Sequence, residues 1–290
     1  MAKSRYEYVK TFESDQSLLP NTWIVVRIDG RAFHKFSQKH EFAKPNDERA
    51  LNLMNRAAVV VMQEFKDIVI SFGESDEYSF VFRKETLLYN RREQKIMSYV
   101  NSLFSSAYVF HWTEYFKDVK LLYPPLFDAR IVLYPTDTNL RDYLSWRQAD
   151  VHVNNLYNTT FWTLIIKGGL TNREAEKKLS GTFAADKNEL LFSEFGINYN
   201  IEPVIFRKGT ILLRKIIKNP MKSNLKPCQV IYPFHKDLIK NQFWDENSEI
   251  LSGNGVKTYE WNTETKLLPT LVLKQLPVSD KNGSETSANK

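Results

Sequence analysis

The alternation of apolar and polar positions predicts a strand, a helix and a hairpin in the first third of the chain. Residues 23–28 form an apolar run interrupted only by Arg27, which is typical of a central strand. A helix-start signal at residues 45–47 precedes apolar residues at helical spacing, namely Leu51, Met54, Ala58, Val61 and Met62. Residues 68–72 and 78–82 are two more apolar runs, and the short link between them indicates an antiparallel hairpin.

The pattern continues with two long helices and a further strand. A helix predicted over residues 92–116 carries Ile96, Val100, Leu103 and Ala107 on one face. A strand is predicted over residues 127–134, and a long helix over residues 140–166. Between residues 20 and 134 the order is therefore βαββαβ. This order predicts an α+β fold, in which helices flank an antiparallel sheet in the ferredoxin-like arrangement.

The pattern changes after residue 203. Two apolar runs flank Arg207-Lys208-Gly209, a turn signal, and predict a protruding β-hairpin. Seven Lys or Arg residues and no Asp or Glu lie between Pro203 and Cys228, so the predicted hairpin is basic. The predicted organisation is a core over residues 1–135, a helical and hairpin portion over 136–275, and a polar, disordered tail over 276–290.

Charge and cysteine usage narrow the class of protein. The net charge of +6 favours a polyanionic partner, although a basic enzyme with no nucleic-acid role stays open. The single cysteine, Cys228, allows neither an intrachain disulfide nor a cysteine-based zinc site, which indicates a reducing compartment. With no apolar leader and no run of about 20 apolar residues, we expect a soluble cytoplasmic or nuclear protein that does not enter a membrane.

Two carboxylates at strand ends are the strongest chemical signal. Asp29 ends the first predicted strand, and Asp76 lies in the turn of the predicted hairpin. The βαββαβ order brings these positions side by side, where they could hold two Mg²⁺ ions for phosphoryl or nucleotidyl transfer. A structural role, capping a helix or ordering a loop, is the alternative.

Two neighbours of the pair are weaker candidates. Glu77 alternates with Asp76 in side-chain direction once the strand has begun, so it is a supporting ligand, a residue that orients a ligand, or a plain surface acid. Gly30 lets the backbone approach a cation or a phosphate closely, and its carbonyl could join the ligand set.

Cations near predicted helix starts could bind a triphosphate. Lys44 precedes the first helix, and Arg92 and Lys95 begin the next, where free N–H groups favour anions. A solvated helix face is the alternative for the last two. His34, five residues after Asp29, is either structural or close to a substrate.

A polar stretch in the second half could contact nucleic acid. His152 and Asn155 share a helix face, and they either read bases or satisfy each other in the core. Lys187 lies at a predicted helix opening and could touch a phosphate or a base. Aromatic residues interleaved with basic ones add a stacking surface for unpaired bases.

Several long segments resemble the eukaryotic tRNA-histidine guanylyltransferases. They are RIDGR (27–31) with Phe33 and His34, FAKPND (42–47), ESDEYSFVF (74–82), DYLSWRQAD (142–150), HVNNLYNT (152–159), AADKNE (184–189) and LFSEF (191–195). The resemblance covers residues 1 to about 215 and is poor after about residue 220.

The resemblance implies a fold and a reaction. The family's catalytic domain is similar to the palm of DNA polymerases and of GGDEF-type cyclases. Its members add one guanylate to the 5′ end of histidine tRNA in the 3′-to-5′ direction. ATP activates the 5′-monophosphate as an adenylylated end, the GTP 3′-hydroxyl attacks, AMP leaves, and pyrophosphate is then removed. Two Mg²⁺ ions serve the site, and the family is typically a homotetramer with the tRNA crossing subunits.

The resemblance also assigns residues. Asp29, the Gly30 carbonyl and Asp76 are the expected metal ligands, with Glu77 as a supporting catalytic residue. The expected nucleotide-binding residues are Asp29, Gly30, Arg31, Ala32, Phe33, His34, Lys44, Ser75, Asp76, Arg92 and Lys95. His152, Lys187 and Asn198 match tRNA-binding positions; Asn155 and the basic residues Arg207 and Lys208 are our additions to that set.

Two rival functions use the same type of core. A cyclic-dinucleotide synthase should carry a Gly-Gly-rich acidic turn, whereas residues 73–77 read GESDE. A non-catalytic RNA-binding relative should have lost a metal carboxylate, and both Asp29 and Asp76 are present.

Overall fold

A single mixed sheet organises the chain in the computed structural model, which describes residues 4–14, 16–218, 228–252 and 258–260. The strand order is β4-β1-β3-β2-β5-β6, every neighbouring pair is antiparallel, and β7 pairs in parallel with β5. The strands are β1 (Trp23–Gly30), β2 (Ile68–Glu74), β3 (Glu77–Phe82), β4 (Phe127–Tyr134), β5 (Thr210–Lys218), β6 (Cys228–Phe234) and β7 (Thr258–Glu260).

Helices cover both faces of this sheet. The α-helices are α1 (Phe33–Lys39), α2 (Glu48–Glu64), α3 (Glu93–Phe110), α4 (Trp112–Tyr115), α5 (Asp137–Ile166), α6 (Asn172–Leu179), α7 (Ala184–Phe195), α8 (Val204–Lys208), α9 (Asn241–Glu246) and α10 (Glu249–Ser252). Short 3₁₀ helices span Glu7–Phe12, Leu88–Arg91 and Tyr199–Ile201. The predicted order of elements between residues 20 and 134 is present, and the predicted α+β class is confirmed.

The two faces of β1 explain its continuous apolar run. Ile24, Val26 and Ile28 belong to the core formed with α1, α2, α3 and α4. Trp23 and Val25 belong to a second core formed with α5, α9 and α10. Because side chains alternate along a strand, a strand buried on both faces needs apolar residues at successive positions.

The predicted helix start before α2 is also present. The Asp47 carboxylate accepts hydrogen bonds from the backbone N–H groups of Arg49 (3.0 Å) and Ala43 (2.9 Å), so it caps α2 and ties down the preceding loop. The Arg49 guanidinium adds an ion pair at 2.7 Å. This loop therefore enters α2 in a defined conformation, which matters because it lines the site described below.

The predicted hairpin with its turn at residues 207–209 is wrong. Residues 204–208 form helix α8, and Gly209, at φ 70°, ends it. β5 then pairs with β2 through residues 210–212 and extends the sheet. The apolar run before the turn signal was one turn of helix, which periodicity over so few residues does not separate from a strand. β5 and β6 do pair antiparallel, but their connection, residues 219–227, lies outside the described residues.

Cations of the basic segment also have partners inside the fold. Arg214 donates hydrogen bonds to the carbonyl groups of Met62 and Phe65, at the C-terminal end of α2. Lys215 is buried and donates to Asn247 at 2.8 Å. The charge of this segment is therefore only partly presented to solvent.

The portion after residue 135 shares the sheet of the portion before it, because β5 and β6 continue the strand order from β2. The predicted tail over residues 276–290 lies outside the described residues. Within the described part of the chain, none of the helices combines the length and apolarity that a membrane span requires.

Candidate active site

Asp29 and Asp76 lie next to each other at one edge of the sheet. Asp29 is near the end of β1, and Asp76 lies in the two-residue turn between β2 and β3. The Gly30 N–H donates a hydrogen bond to the Asp76 carbonyl at 3.1 Å, which joins β1 to the turn. Burial, together with the charge of Asp29, raises the pKa of Asp76 to about 6. Burial, together with the charge of Asp128, raises the pKa of Asp29.

The donor chemistry of this pair fits a hard divalent cation. Two carboxylates that disfavour each other's charge gain from a cation placed between them. A Cβ atom added to Gly30 would lie 2.8 Å from an Asp76 carboxylate oxygen, so the backbone approaches this carboxylate closely. Among the described residues no three His, Cys, Asp or Glu side chains converge as a metal site. A cation here would therefore need backbone, water or substrate oxygens as well, as Mg²⁺ commonly does.

The turn that carries Asp76 has a strained conformation. Ser75 adopts a left-handed φ of 47°, which is uncommon for a non-glycine residue. The Ser75 hydroxyl donates to the Asp76 carboxylate at 3.1 Å and opposes the rise of its pKa. The hydrogen bond from Ser75 therefore helps to orient the Asp76 side chain.

Glu77 is not a surface acid. It is 8% exposed, and its carboxylate accepts a hydrogen bond from Arg147 Nε at 2.7 Å. The second carboxylate oxygen of Glu77, Oε2, lies 4.0 Å from Arg27 Nε. Burial raises the pKa of Glu77, although Arg147 opposes the rise. In the register of β1 and β3, Glu77 stands opposite Asp29.

A cleft of about 790 Å³ opens above the two aspartates. The start of α1, the loop of residues 42–47, one face of α5 and residues 205–210 form its walls. Eight of the expected nucleotide-binding residues line it, namely Asp29, Gly30, Ala32, Phe33, His34, Lys44, Ser75 and Asp76. Its size is that of sites that hold drug-sized or nucleotide-sized ligands.

Three expected nucleotide-binding residues do not line this cleft. Arg31 is exposed, and its backbone N–H donates to the Leu126 carbonyl. Arg92 occupies the N-cap position of α3 without a capping hydrogen bond from its side chain, and its Nε donates to the Tyr89 carbonyl at 3.4 Å. The Lys95 ammonium lies 4.8 Å from the centre of the Tyr89 ring.

Lys44 is the cation of the cleft wall nearest in sequence to the α2 start. Its ammonium lies 5.3 Å from the centre of the Trp162 ring and donates to the Ser37 hydroxyl at 3.3 Å. Trp162 also lines the cleft. Burial lowers the pKa of Lys44, and the charge of Asp47 opposes this change. An aromatic face holds a cation without neutralising it, so the protonated ammonium can still pair with a phosphate.

The expected tRNA-binding residues occupy different environments. His152 is exposed. Its partial burial, together with the charge of Arg207, lowers its pKa. Lys187 is buried and donates to the Thr182 carbonyl at 2.9 Å. Asn198 is exposed and caps the 3₁₀ helix Tyr199–Ile201.

The two basic candidates are half-buried. Arg207 donates from Nε to the Glu202 carbonyl at 2.8 Å, and Lys208 pairs with Asp237 at 3.1 Å. Each retains exposed surface at the end of α8, beside the cleft wall.

Asn155 is a structural residue of the cleft wall. It is 7% exposed, its amide donates to the Tyr199 hydroxyl at 2.9 Å, and it accepts a hydrogen bond from Asn46 at 2.9 Å. Its partners are therefore Asn46 and Tyr199 rather than His152. The contact with Asn46 joins α5 to the loop before α2.

Asn155→Ala is expected to lower the free energy of unfolding by about 1–3 kcal/mol, because Tyr199 and Asn46 each lose a buried hydrogen-bond partner. Denaturant unfolding of the variant measures this loss. Asn154→Ala, at the exposed neighbouring position of α5, is the control and should stay within about 0.5 kcal/mol. A loss of equal size in both variants would contradict a specific role for these bonds.

Comparison with known proteins gives the family. Residues 6–135 match the family model described as tRNAHis guanylyltransferase, and residues 138–259 match the model described as Thg1 C terminal domain. The chain belongs to the tRNAHis guanylyltransferase family. It is therefore an enzyme, a nucleotidyltransferase, as the resemblance predicted.

Individual members of the tRNAHis guanylyltransferase family are similar along nearly their whole length. A Drosophila melanogaster protein named "Probable tRNA(His) guanylyltransferase" is 58% identical over 289 residues, covering 100% of this chain and 98% of its own. The tRNA(His) guanylyltransferase of Schizosaccharomyces pombe is 57% identical over 251 residues, covering 84% of this chain and 96% of its own.

Solved structures of the family share the fold. The crystal structure of the Saccharomyces cerevisiae tRNA(His) guanylyltransferase superposes with a TM-score of 0.70 at 52% identity, covering 72% of this chain and 93% of that chain. A bacterial Thg1-like protein in complex with ATP superposes with a TM-score of 0.67 at 20% identity, covering 87% and 98%, and shows a common fold.

Sequence reasoning missed Arg147, a cation of the cleft that pairs with three carboxylates. Arg147 contacts Glu77, Glu74 and Asp150 at 2.7, 2.8 and 2.7 Å. Burial raises the pKa of Glu74 to about 8, although Arg147 opposes the rise. Arg147 lies in the segment of residues 142–150 that resembles the family, but the spacing along one helix does not show which strand turn the helix meets.

Proposed function

We propose that this chain adds one guanylate to the 5′ end of histidine tRNA in the 3′-to-5′ direction, using ATP, GTP and two Mg²⁺ ions on a palm-like core. The observation that carries this proposal is the Asp29–Asp76 pair beneath a nucleotide-sized cleft. The chain's family is named for this reaction. Solved structures of a bacterial Thg1-like protein are in complex with ATP in one case and with GTP in another, and these are the two nucleotides that the reaction requires.

Three bond exchanges make up the proposed reaction. An oxygen of the tRNA 5′-monophosphate bonds to the α-phosphorus of ATP, and pyrophosphate leaves. The 3′-hydroxyl of GTP then bonds to the tRNA 5′-phosphorus, its proton passes to a base, and AMP leaves. Hydrolysis finally removes pyrophosphate from the triphosphate of the added guanylate.

Asp29, Asp76 and the Gly30 carbonyl are the groups that would hold the metal ions, with Glu77 supporting them. Bound there, divalent cations would neutralise phosphate oxygens and favour ionisation of the attacking hydroxyl. The residues themselves contribute a fixed, half-buried pair of negative charges at the floor of the cleft.

Other residues of the cleft would bind and orient the nucleotide. Lys44 and Ser75 line the cleft and can donate to phosphate oxygens. His34, exposed at the start of α1, lies along the same wall. Arg31, Arg92 and Lys95 stay proposals that rest on the resemblance to the family.

The decisive experiment supplies 5′-monophosphorylated histidine tRNA, ATP, labelled GTP and Mg²⁺ to the purified protein. We expect label at the tRNA 5′ end, release of AMP, and no label when ATP is omitted. Labelled cyclic dinucleotide in place of labelled tRNA would favour the cyclase alternative. Tight tRNA binding without incorporation would favour the non-catalytic relative.

Selection of the correct tRNA must use features far from the cleft, because every mature tRNA presents a 5′-phosphate. We propose that His152, Lys187 and Asn198 take part in recognising the histidine anticodon, whose unpaired bases are open to hydrogen bonding and stacking. An anticodon lies far from the acceptor end, so one subunit could hardly serve both sites. A homotetramer would place them on different subunits.

Neutralising Arg207 and Lys208 together, as Arg207→Gln with Lys208→Gln, is expected to weaken tRNA binding. It should also flatten the slope of log K against log salt by about one to two units, since each lost phosphate contact removes nearly one. Filter binding at several salt concentrations measures the slope, and GTP binding should not change.

The control for this pair removes the same charge elsewhere. Lys177→Gln with Lys178→Gln alters two exposed cations of α6 and should leave the slope unchanged. If the Arg207 and Lys208 variant changes oligomer size in sedimentation but keeps the salt slope, these residues pack against another subunit instead.

A further inference from the structure

Arg147 holds the turn that carries Asp76 from both ends. Its Nε donates to Glu77 at 2.7 Å and its Nη2 donates to Glu74 at 2.8 Å. Its Nη1 donates to Asp150 at 2.7 Å, within α5. The Arg147 guanidinium is buried, and each of its three nitrogens donates to a carboxylate. Hydrogen bonds between charged groups of this kind are among the strongest in proteins.

Without a cation the ends of this turn would repel each other. Glu74 and Glu77 are the last cross-strand pair of β2 and β3, and like charges directly opposite each other destabilise a hairpin. Between them, Ser75 holds a left-handed φ of 47°, which is itself unfavourable. The position of Asp76 thus depends on contacts from outside the hairpin.

Contacts of this kind reach the turn from β1 and from α5. The Gly30 N–H donates to the Asp76 carbonyl from β1. Arg147 reaches the flanking glutamates from α5. We propose that Arg147 is a positioning residue for the cation site: it fixes the turn so that the Asp76 carboxylate faces Asp29. This inference rests on the proposed function, because it assumes that the pair binds divalent cations.

The packing of α5 on the sheet does not depend on the ion pairs of Arg147. Leu140, Tyr143 and Leu144 bury the first half of α5 in the core shared with β1, β2 and β3. The Trp146 ring covers the guanidinium, with 4.4 Å between its centre and Arg147 Cζ. Apolar contacts therefore anchor α5, and the Arg147 guanidinium is available to hold the turn.

Arg147→Lys tests the proposal because it keeps the charge but loses the planar fork that reaches two carboxylates at once. The probe is Mn²⁺ alone, titrated into tRNA-free protein, with bound metal measured from the loss of the electron paramagnetic resonance signal of free Mn²⁺. We expect Mn²⁺ to bind about tenfold or more weakly, which is the usual effect of removing a group that orients a metal ligand. Circular dichroism shows whether the variant is folded.

Two matched variants separate positioning from charge and from folding. Asp150→Asn removes a negative charge that pairs with the same guanidinium but leaves both ends of the turn held. The affinity for Mn²⁺ should therefore stay within about twofold of that of the unmodified protein. Glu74→Asp keeps the carboxyl group but shortens the side chain by one methylene, so it should weaken Mn²⁺ binding. If Arg147→Lys does not fold, the affinity of Glu74→Asp for Mn²⁺ tests the positioning role instead.

Asp76→Asn is the reference for the metal site itself. If Asp76→Asn loses Mn²⁺ while folded Arg147→Lys and Glu74→Asp bind it like the unmodified protein, the positioning role is overturned and the metal assignment stands. If Asp76→Asn binds Mn²⁺ like the unmodified protein, the metal assignment of the proposed function fails. Equal weakening by Asp150→Asn and Arg147→Lys would also overturn positioning, because Asp150→Asn leaves both ends of the turn held and the loss could not then come from the turn.

Discussion

Asp29→Ala and Asp76→Ala are each expected to reduce guanylate addition by about a thousandfold or more. Removing one ligand of the pair removes charge stabilisation of several kcal/mol, and each 1.4 kcal/mol is about tenfold in rate. Both the activation by ATP and the attack by GTP should fail, because both phosphoryl transfers would use the metal ions that this pair holds. Single-turnover assays with monophosphorylated and with pre-activated tRNA measure the two steps separately.

The fold of these variants should persist. Burial raises the pKa of both aspartates, and repulsion by the charge of Asp29 adds to the rise at Asp76, so the charged pair is unfavourable in the metal-free protein. Removing one carboxylate relieves that repulsion, and the thermal midpoint without metal should not fall. Near-normal turnover by either folded variant would exclude the metal assignment.

Glu77→Ala provides an informative comparison. Because Glu77 is buried against Arg147, its loss should lower thermal stability, which Asp76→Ala should not do. Its effect on turnover should be smaller than that of Asp76→Ala. Equal losses of turnover would show that the turn presents both carboxylates to the substrate.

Gly30→Ala is expected to be the most damaging conservative change in the cleft. The added methyl would lie 2.3 Å from the Phe33 ring and 2.8 Å from an Asp76 carboxylate oxygen, both well inside contact distance. Phe33 is buried and packs against Phe36 and Phe127, so it has little room to retreat. We expect the unfolding free energy to fall by about 1–3 kcal/mol. Guanylate addition should fall by about a hundredfold or more, since small misplacement of catalytic groups has effects of this size.

Gly181→Ala is the matched control. Gly181 has a φ of 76°, and an added methyl there would meet nothing within 4 Å. Strain at this φ should lower stability by about 1–2 kcal/mol without changing the rate of guanylate addition. If Gly30→Ala loses only as much activity as Gly181→Ala at a temperature where both are folded, close approach of the backbone at Gly30 is not required for the chemistry.

Local patterns determined the elements of the first half of the chain. The apolar runs predicted β1 to β4, and β4 has the predicted bounds, residues 127–134. The helix-start signal ending at Asp47 predicted the cap of α2. These features depend on neighbours two to four residues away, because side-chain alternation, helical spacing and capping are all local. The closeness of Asp29 and Asp76 followed from the order of those elements.

The tertiary structure decided what those residues contact. It turned residues 204–208 into α8 and placed β5 beside β2, because a short apolar run becomes helix or strand according to the surface that it meets. It buried Asn155 against Tyr199, left His152 exposed, and kept Arg92 and Lys95 off the walls of the cleft. It also brought Arg147 to Glu74 and Glu77, about 70 residues earlier in the chain. Such contacts arise from the packing of α5 on the sheet, and no local pattern along the chain specifies them.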